Sequence, residues 1–322
     1  MKILDELKGK SVVVTGASGY LGSELVDALV KQRCNIIRVS RAYLSPLPGV
    51  ITIKADICNA EVWRDIVAHA DIIYHLAGNT SSNQAALNPV ISLNSTLLPI
   101  NHLIQASQEQ QRKPRVVFAS TATVYGLTSI LPVAETVIPN PVTVYDLHKL
   151  FAEKQLTLAT QLGLVEAVSL RLANVYGPSR GNSSAADRGI INIVTRTAIH
   201  GKALTVYGDG NYLRDYVYIS DVINAFLLAS VSSHICGESF NIASGIGTLV
   251  KQVFSLIASE VGKITGHNVV ISSSPWASDI SPIEKREFIA NISKFKSATN
   301  WNPLIKINQG IILNTNEFFK NK

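Results

Sequence analysis

Residues 11–22 read SVVVTGASGYLG, and this stretch decides the fold. Its first five residues, Ser11–Thr15, form a mostly β-branched run that is typical of a strand buried on both faces of a parallel sheet. Gly16, Gly19 and Gly22 follow at a GxxGxxG spacing and lead into an amphipathic helical pattern. A strand, a glycine-rich turn and a helix in this order predict the first βα unit of a dinucleotide-binding domain.

The glycines of this turn give a pyrophosphate room to approach the backbone. A Cβ at Gly16 or Gly19 would block the turn or the phosphate, and Gly22 lets the helix pack closely against the strand. Free N–H groups and the helix dipole then stabilise the pyrophosphate charge. An ordinary strand–helix turn is the alternative, but the position at the start of a βαβ unit favours a cofactor site. We expect the cofactor to contact the whole turn: Gly16, Ser18, Gly19, Tyr20, Leu21 and Gly22.

Strand and helix patterns alternate through the first half of this 322-residue chain. The predicted strands are residues 11–15, 35–40, 49–55, 71–76, 115–120 and 167–172. The predicted helices between them are residues 21–32, 61–69, 89–111 and 142–162. This alternation with short loops predicts an α/β, Rossmann-like fold with a doubly wound parallel sheet.

The pattern changes after residue 174, where a loop is predicted at residues 177–189 and polar loops with short elements follow residue 246. Further regular elements are predicted at residues 190–200, 204–207, 221–230 and 308–319. We therefore predict two interleaved domains. Residues 1–174, with residues 206–245 returning, form the dinucleotide-binding domain, and residues 175–205 with 246–322 form a smaller C-terminal substrate-binding domain.

Composition excludes several classes of protein. With 47% hydrophobic and 16% charged residues, the chain is too apolar for an intrinsically disordered protein. No run reaches the ~18–20 apolar residues of a membrane span, and the N-terminus, which carries Asp5 and Glu6, does not resemble a secretory signal. Cys34, Cys58 and Cys236 are far apart, so neither disulfides nor a metal site is expected, and the predicted location is cytoplasmic.

The net charge of +6 comes from scattered residues rather than from a run of lysine and arginine. A solvated basic surface accounts for most of this excess. Aromatic residues are not interleaved with basic ones, so nucleic acid is not an expected partner. A phosphate-bearing small molecule is the better candidate ligand.

The residues at the end of the second predicted strand indicate whether the cofactor is NAD(H) or NADP(H). An NAD-binding unit usually has Asp or Glu here to accept a hydrogen bond from the ribose 2′-hydroxyl. This chain has Ser40 and Arg41, and an arginine pairs well with a 2′-phosphate, so the sequence favours NADP(H), with NAD(H) as the alternative. Asp56 and Ile57, after the third strand, are candidates to hold the adenine. The end of the fourth strand would let the chain pass close to the cofactor: Leu76, Ala77 and Gly78.

Tyr145 and Lys149 form a YxxxK spacing in the predicted helix 142–162. Residues four apart share one face of a helix, so both side chains would point into one cleft. The lysine ammonium favours the phenolate and lowers the pKa of the tyrosine, and Lys149 could also hold the nicotinamide ribose. A half-buried tyrosine beside a snorkelling lysine gives the same spacing by chance. Thr121, at the end of the fifth strand, adds a hydroxyl for a substrate oxygen, because strand ends line the ligand crevice of such sheets.

Taken together, these motifs resemble the extended short-chain dehydrogenase/reductase family, in its NAD(P)-dependent nucleotide-sugar epimerase/dehydratase/reductase branch. The resemblance covers nearly the whole chain. It rests on the following stretches: TGASGYLG (15–22), DIIYHLAG (71–78), FASTATVYG (118–126), YDLHK (145–149), LRLANVYGP (170–178), VYGDGNYLRDYVYISDV (206–222) and NWNP (300–303).

The resemblance implies roles for residues of this chain. Tyr145 would be the proton donor or acceptor, Lys149 its modulator and Thr121 the hydroxyl partner. The family also binds a nucleotide-diphosphate sugar, and a homodimer through the paired helices 89–111 and 142–162 is what it suggests. The expected substrate contacts are Thr80, Thr121, Tyr145, Asn174, Arg214 and, by a looser match, Arg286. Lys285 is the alternative to Arg286 as a second phosphate ligand, and Arg286 could instead close the domains through a salt bridge.

Departures from the family pattern narrow the expected reaction. Dehydratases carry an acidic pair just after the strand-end hydroxyl, where this chain has Ala122 and Thr123, so sugar dehydration is not expected. The sequence favours an NADPH-dependent reductase of a 4-keto sugar nucleotide, because Ser40 and Arg41 suit NADP(H). The alternative is a nucleotide-sugar 4-epimerase with tightly held NAD, which the ATVYG stretch fits well. A non-catalytic cofactor-binding scaffold is the third and least favoured interpretation.

Overall fold

Parallel strands dominate the sheet structure of the protein. The computed structural model describes residues 6–179, 189–278 and 280–320. Within them the strands are β1 (Ser11–Thr15), β2 (Asn35–Ser40), β3 (Val50–Lys54), β4 (Ile72–His75), β5 (Arg115–Thr121), β6 (Glu166–Leu172), β7 (Asn174–Tyr176), β8 (Leu204–Tyr207), β9 (Leu213–Tyr218), β10 (Ser239–Ile242), β11 (Gly247–Leu249) and β12 (Ile271–Ser274). Seven of them form one parallel sheet in the order β10-β6-β5-β4-β1-β2-β3, which confirms the predicted doubly wound α/β fold.

Helices cover both faces of this sheet. In chain order they are α1 (Tyr20–Val30), α2 (Ala60–His69), α3 (Ser82–Leu87), α4 (Pro89–Thr96), α5 (Leu98–Glu109), α6 (Val144–Gln161), α7 (Ile190–Ile199), α8 (Ile219–Val231), α9 (Val250–Thr265), α10 (Ser293–Thr299) and α11 (Ile307–Lys320). Short 3₁₀ helices lie at Ala122–Tyr125, Ser233–Ile235 and Pro282–Lys285. No helix in the described part of the chain is long and apolar enough to cross a membrane.

Alternate side chains of β1 are buried in two separate hydrophobic cores, one on each face of the sheet. Val12 and Val14 point to the face covered by α1 and α8, whereas Val13 points to the face covered by α2, α5 and α6. This is the period-two alternation of a strand that is buried on both sides, and it explains why β1 reads as an unbroken apolar run. Trp63 fills the second core and is fully buried.

Two smaller sheets lie outside the central one. Strand β9 pairs with β7 in parallel and with β11 in antiparallel orientation, and β8 pairs in parallel with β12. Strand β10, from the predicted returning segment 206–245, joins the edge of the central sheet beside β6. The division of the chain into two domains at the predicted boundaries stays a prediction.

Two predicted elements differ from the structure. The single helix expected at residues 89–111 is two helices, α4 and α5, because Pro99, in the first turn of α5, has no N–H to continue the hydrogen-bond ladder from α4. The expectation of only short elements after residue 246 missed α9, a 16-residue helix. Its buried apolar residues recur at helical spacing: Val250, Val253, Phe254, Ile257 and Val261.

A buried ion pair joins α6 to the sheet. The Arg171 guanidinium on β6 donates to both carboxylate oxygens of Glu153, with the shortest contact at 2.7 Å, and both side chains are almost fully buried. Arg171 also donates to the Tyr125 hydroxyl at 2.9 Å, and Tyr125 donates to Asn241 at 2.8 Å. The network therefore fixes α6 against β6 and β10.

We expect Glu153→Ala to lower the free energy of unfolding by about 3–5 kcal/mol, because it leaves the Arg171 charge buried without its partner. Urea denaturation of both proteins measures the difference. The matched control is Glu61→Ala, which breaks the exposed pair with Arg64 and should change stability by less than about 1 kcal/mol. Similar losses in the two variants would contradict a stabilising role for the buried pair.

Candidate active site

The glycine-rich turn forms a cradle without side chains. Gly16 has φ +67°, and a Cβ there would lie 2.8 Å from the backbone nitrogen of Ala77 at the end of β4. A Cβ on Gly22 would lie 2.2 Å from the carbonyl oxygen of Gly16. Helix α1 begins at Tyr20, is capped by Gly19 and has no acidic residue in its first turn. Its N-terminus is therefore open to an anion, which the first-turn N–H groups and the helix dipole would stabilise.

A cavity of about 520 Å³ lies over this turn. Its lining includes nearly every predicted cofactor contact: Gly16, Ser18, Gly19, Tyr20, Leu21, Gly22, Ser40, Arg41, Ile57, Leu76, Ala77, Gly78 and Lys149. Asp56 is the exception, because its carboxylate is exposed and accepts the backbone N–H of Cys58 at 3.0 Å. The cradle and its open helix N-terminus fit the diphosphate of a dinucleotide.

Ser40 and Arg41, at the end of β2, differ in burial and in their contacts. The Ser40 hydroxyl is buried, donates to the Ser18 hydroxyl at 2.9 Å and accepts the backbone N–H of Ala42 at 3.1 Å, so it stiffens the turn. Arg41 is exposed and lines the cavity, where its charge lowers the pKa of the neighbouring Asp56. Hydrogen bonding by the backbone of Cys58 is the larger cause of that shift.

Lys149 is buried one helical turn after Tyr145. Its ammonium donates to the carbonyl oxygen of Ala119 at 2.8 Å and lies 4.7 Å from the centre of the Phe118 ring. Burial lowers the pKa of Lys149 to about 8, while the Glu153 carboxylate, one turn further along α6, favours the charged form. The charge of this lysine is therefore available to the site close to neutral pH.

A larger cleft of about 1230 Å³ meets the dinucleotide cavity. Three predicted residues line both spaces: Thr80, Thr121 and Tyr145. Asn174, Arg214 and Arg286 line the larger cleft as well. The structure therefore brings all six predicted substrate contacts together around one opening, with a hydroxyl and a phenol at the junction.

Arg214 and Arg286 concentrate positive charge in the larger cleft. Arg214 is buried, donates to the carbonyl oxygen of Glu284 at 2.6 Å and lies 4.8 Å from the centre of the Tyr212 ring. Arg286 donates to the Ile283 carbonyl oxygen at 2.8 Å, and its buried Nε has no acceptor among the described residues. Burial, together with the charge of Arg214, lowers the pKa of Arg286 to about 10. Such a pair of desolvated cations suits a ligand with two phosphates.

Asp215 fixes the strand that carries Arg214. Its buried carboxylate accepts backbone N–H groups from Ser244 at 2.8 Å, Gly245 at 3.0 Å and Ala290 at 3.2 Å. On the other side of β9, Asn174 donates its amide to the carbonyl oxygen of Asp215 at 3.1 Å. The position of the guanidinium is thus set by contacts with three other segments of the chain.

Aromatic side chains that the sequence interpretation did not single out form part of the cleft wall. Trp276 stacks on Tyr207, with 5.9 Å between the ring centres and 25° between the planes, and lies 5.6 Å from Tyr212. Tyr207 and Tyr212 belong to the quoted VYGDGNYLRDY stretch, but Trp276 comes from the segment after β12. This wall offers a flat apolar surface to a planar group.

A buried carboxylate, also missed in the sequence, lies next to Tyr145. Thr121 and Thr123 share a hydrogen bond of 2.8 Å between their hydroxyls, and Thr123 donates its proton to Asp146. The second oxygen of Asp146 accepts the Thr143 hydroxyl at 2.7 Å. Burial raises the pKa of Asp146 above its usual range, although both hydroxyls oppose this. The only sequence signal was its place directly after Tyr145.

Comparison with known proteins agrees with this geometry. The chain is 26% identical over 320 residues to the UDP-glucose 4-epimerase of Mycolicibacterium smegmatis, covering 96% of this chain and 98% of that protein. The crystal structure of a Thermotoga maritima UDP-glucose 4-epimerase with UDP-glucose matches at 28% identity with a TM-score of 0.85, covering 97% and 99% of the two chains.

A Thermus thermophilus UDP-glucose 4-epimerase in complex with NAD matches at 26% identity with a TM-score of 0.82, covering 96% of this chain and 98% of that one. The model of the NAD-dependent epimerase/dehydratase family matches residues 12–243. This match covers well over half of the chain and confirms the family resemblance of its motifs. The chain belongs to the NAD-dependent epimerase/dehydratase family.

Proposed function

We propose that this protein is a nucleotide-sugar 4-epimerase that acts on a UDP-hexose with a retained NAD(H). The observation that carries the proposal is the junction of the two cavities, where Thr121 and Tyr145 each line both cavities. A ligand in the larger cleft and a dinucleotide in the cradle would meet at these two side chains. The relatives described above are UDP-glucose 4-epimerases, and one of them holds NAD.

The larger cleft suits a nucleotide sugar in three respects. Arg214 and Arg286 would bind the diphosphate, since guanidinium groups match phosphate oxygens in charge and geometry. Tyr207 and Trp276 would stack against the flat base. The sugar would then lie toward Tyr145, where the two cavities join.

Proton transfer at the sugar hydroxyl is the task of Tyr145. Lys149 is buried one turn away on the same helix, and its positive charge would favour the phenolate form of Tyr145 during proton transfer. A nicotinamide cofactor held in the cradle by Lys149 and the glycine-rich turn would supply the chemistry of reversible hydride transfer at the sugar carbon. Tyr145 accepts the hydroxyl proton in the first half of the reaction and gives it back in the second, so the protein ends each cycle unchanged.

The NADPH-dependent 4-ketoreductase, which the sequence favoured, is the second candidate. The observation in its favour is Arg41, an exposed cation on the wall of the dinucleotide cavity that could pair with a 2′-phosphate. The epimerase is preferred because the similar proteins described above are UDP-glucose 4-epimerases and one of them is in complex with NAD. The NADP(H) preference stays a prediction, as does the cytoplasmic location.

A homodimer is part of the proposal. Helix α6 carries an exposed apolar stripe at helical spacing: Leu147, Phe151, Leu158 and Leu162 just beyond its end. Helix α4, which packs beside α6, exposes Val90 and Ile91 to 68% and 64%. A continuous apolar surface of this kind is typical of a protein interface. A second copy of the chain is the occupant we propose for it.

The first test identifies the cofactor and the reaction together. We expect the purified protein to release about one equivalent of NAD on denaturation and to convert UDP-glucose to its C4 epimer without added cofactor. Chromatography of the released nucleotide and NMR of the sugar product measure both. A protein that instead requires added NADPH and reduces a 4-keto sugar nucleotide is the ketoreductase, and one that binds a cofactor but converts neither sugar nucleotide is the scaffold.

Tyr145→Phe removes the proton acceptor and should lower kcat by about 10²–10⁴-fold. Binding of NAD, followed by fluorescence, should stay within about twofold, because the cradle is unchanged. The matched control is Tyr43→Phe, which alters an exposed tyrosine and should leave kcat as it is. An equal loss of cofactor binding and turnover in Tyr145→Phe would make Tyr145 a structural residue.

Arg286→Ala should raise KM for the UDP-sugar by about 10–100-fold, the effect of losing a hydrogen bond to a charged group. Thermal stability should not fall, because the variant removes a buried cation that lies beside Arg214. Lys285→Ala, at the exposed neighbouring position, is the control and should leave KM near the wild-type value. A lower melting temperature with unchanged KM would refute the phosphate role.

A further inference from the structure

Both oxygens of the Asp146 carboxylate are occupied by hydroxyl protons. Thr123 donates to Oδ1, and Thr143 donates to Oδ2 at 2.7 Å while its own oxygen accepts the backbone N–H of Asp146 at 3.2 Å. The charge of Arg286 also favours the ionised carboxylate, whereas burial and the charge of Glu284 oppose it. Burial raises the pKa of Asp146, but two hydroxyl donors that each reach a different oxygen suit an ionised carboxylate, which accepts hydrogen bonds at both oxygens.

The proton count fixes the direction of the hydroxyl chain that leads from Asp146 to the cleft. A hydroxyl has one proton and two lone pairs. Because Thr123 gives its proton to Asp146, its oxygen must accept in the 2.8 Å contact with Thr121. Thr121 therefore donates to Thr123 and keeps no proton for a ligand.

The remaining capacity of Thr121 is as an acceptor. One of its lone pairs accepts the backbone N–H of Thr123 at 3.2 Å. The second lone pair is left for a group in the space that Thr121 lines at the junction of the two cavities. A sugar hydroxyl can donate a proton to this oxygen, whereas the oxygen of a ketone can only accept one and would meet a lone pair.

We propose that Asp146 is a positioning residue that makes Thr121 a hydrogen-bond acceptor, so that the site binds the hydroxyl of a sugar alcohol through a proton that the sugar donates. This inference rests on the proposed function and deepens it. The substrate and the product of a 4-epimerase both carry a C4 hydroxyl that can donate to Thr121 in this way.

The test compares two ligands that differ only at the sugar C4 position. UDP-glucose carries a hydroxyl there, and its 4-deoxy-4-fluoro analogue carries a fluorine that cannot donate a hydrogen bond. Titration calorimetry measures both dissociation constants in NAD-loaded Tyr145→Phe protein, in which neither turnover nor the phenol contributes. We expect the fluoro analogue to bind about tenfold more weakly, because it loses one hydrogen bond and faces the Thr121 lone pair.

Two variants in the same Tyr145→Phe background should abolish this discrimination. Thr123→Val removes the acceptor for the Thr121 proton, which becomes free to point at the ligand. In Asp146→Asn, the Thr143 hydroxyl keeps the amide oxygen at the Oδ2 position, so the amide N–H faces Thr123 and the chain reverses. We expect the ratio of the two dissociation constants to fall to within about twofold in each variant.

Two further variants separate this role from ordinary packing. Thr123→Ser keeps the hydroxyl and should restore the tenfold ratio. Thr157→Val removes a half-buried hydroxyl from α6, the helix that carries Asp146. This hydroxyl donates to the Gly237 carbonyl oxygen at a distance of 3.2 Å and does not line the cleft, so the variant should leave the ratio unchanged. Melting temperatures of all variants confirm that they are folded.

The outcomes are distinct. A ratio that stays near ten in Thr123→Val and Asp146→Asn, or one that falls equally in Thr157→Val, overturns the inference while leaving the epimerase proposal intact. A ratio near one in the Tyr145→Phe parent also overturns it. If UDP-glucose binds none of the folded proteins, the proposed function fails, and the inference fails with it.

Discussion

The parallel direction of the seven central strands is the constraint on which the rest of the structure depends. Because β1, β2, β4 and β5 all run the same way, their carboxyl ends meet at one edge of the sheet. The glycine turn after β1, Ser40 at the end of β2 and Thr121 at the end of β5 are therefore brought together from positions more than 100 residues apart. The cofactor cavity is the direct product of this topology, and the cleft that meets it at Thr121 and Tyr145 is shaped by the smaller sheets alongside.

The candidate site contains buried cationic side chains that can stabilise negative charge on a ligand, although burying them costs free energy of desolvation. Burial lowers the pKa of Lys149, while the Glu153 carboxylate favours the charged ammonium, which also contacts the Ala119 carbonyl oxygen and the Phe118 ring. Arg214 and Arg286 are desolvated side by side, which is unfavourable until an anion lies between or beside them. The diphosphate of the proposed ligand would relieve that repulsion, and its binding would then also stabilise the folded protein.

Local sequence signals predicted the first half of the fold well and the site unevenly. Strands β1, β2 and β8 have the bounds that their apolar patterns predicted, and the glycine spacing predicted the tight turn after β1, where a Cβ would clash with backbone atoms. Pro99 indicates a break between α4 and α5, but the long helical pattern around it led to the prediction of a single helix. Helix α9 carried its apolar stripe in the sequence, yet the polar residues between the apolar ones suggested loops. Trp276 and Asp146 were beyond such reasoning, because the contacts that define them join segments that only the tertiary structure brings together.

Asp146 shows why a motif by itself underdetermines the chemistry of a site. The absence of acids at Ala122 and Thr123 argued that the cleft has no carboxylate beside the strand-end hydroxyl, yet α6 begins against this segment and supplies one. The carboxylate does not face the cleft freely, since both of its oxygens hold hydroxyl protons. Its influence therefore reaches the ligand through the direction of two hydroxyl groups rather than through direct proton transfer. Hydrogen-bond direction is invisible in a list of residue types, but it follows from counting protons once the contacts are known.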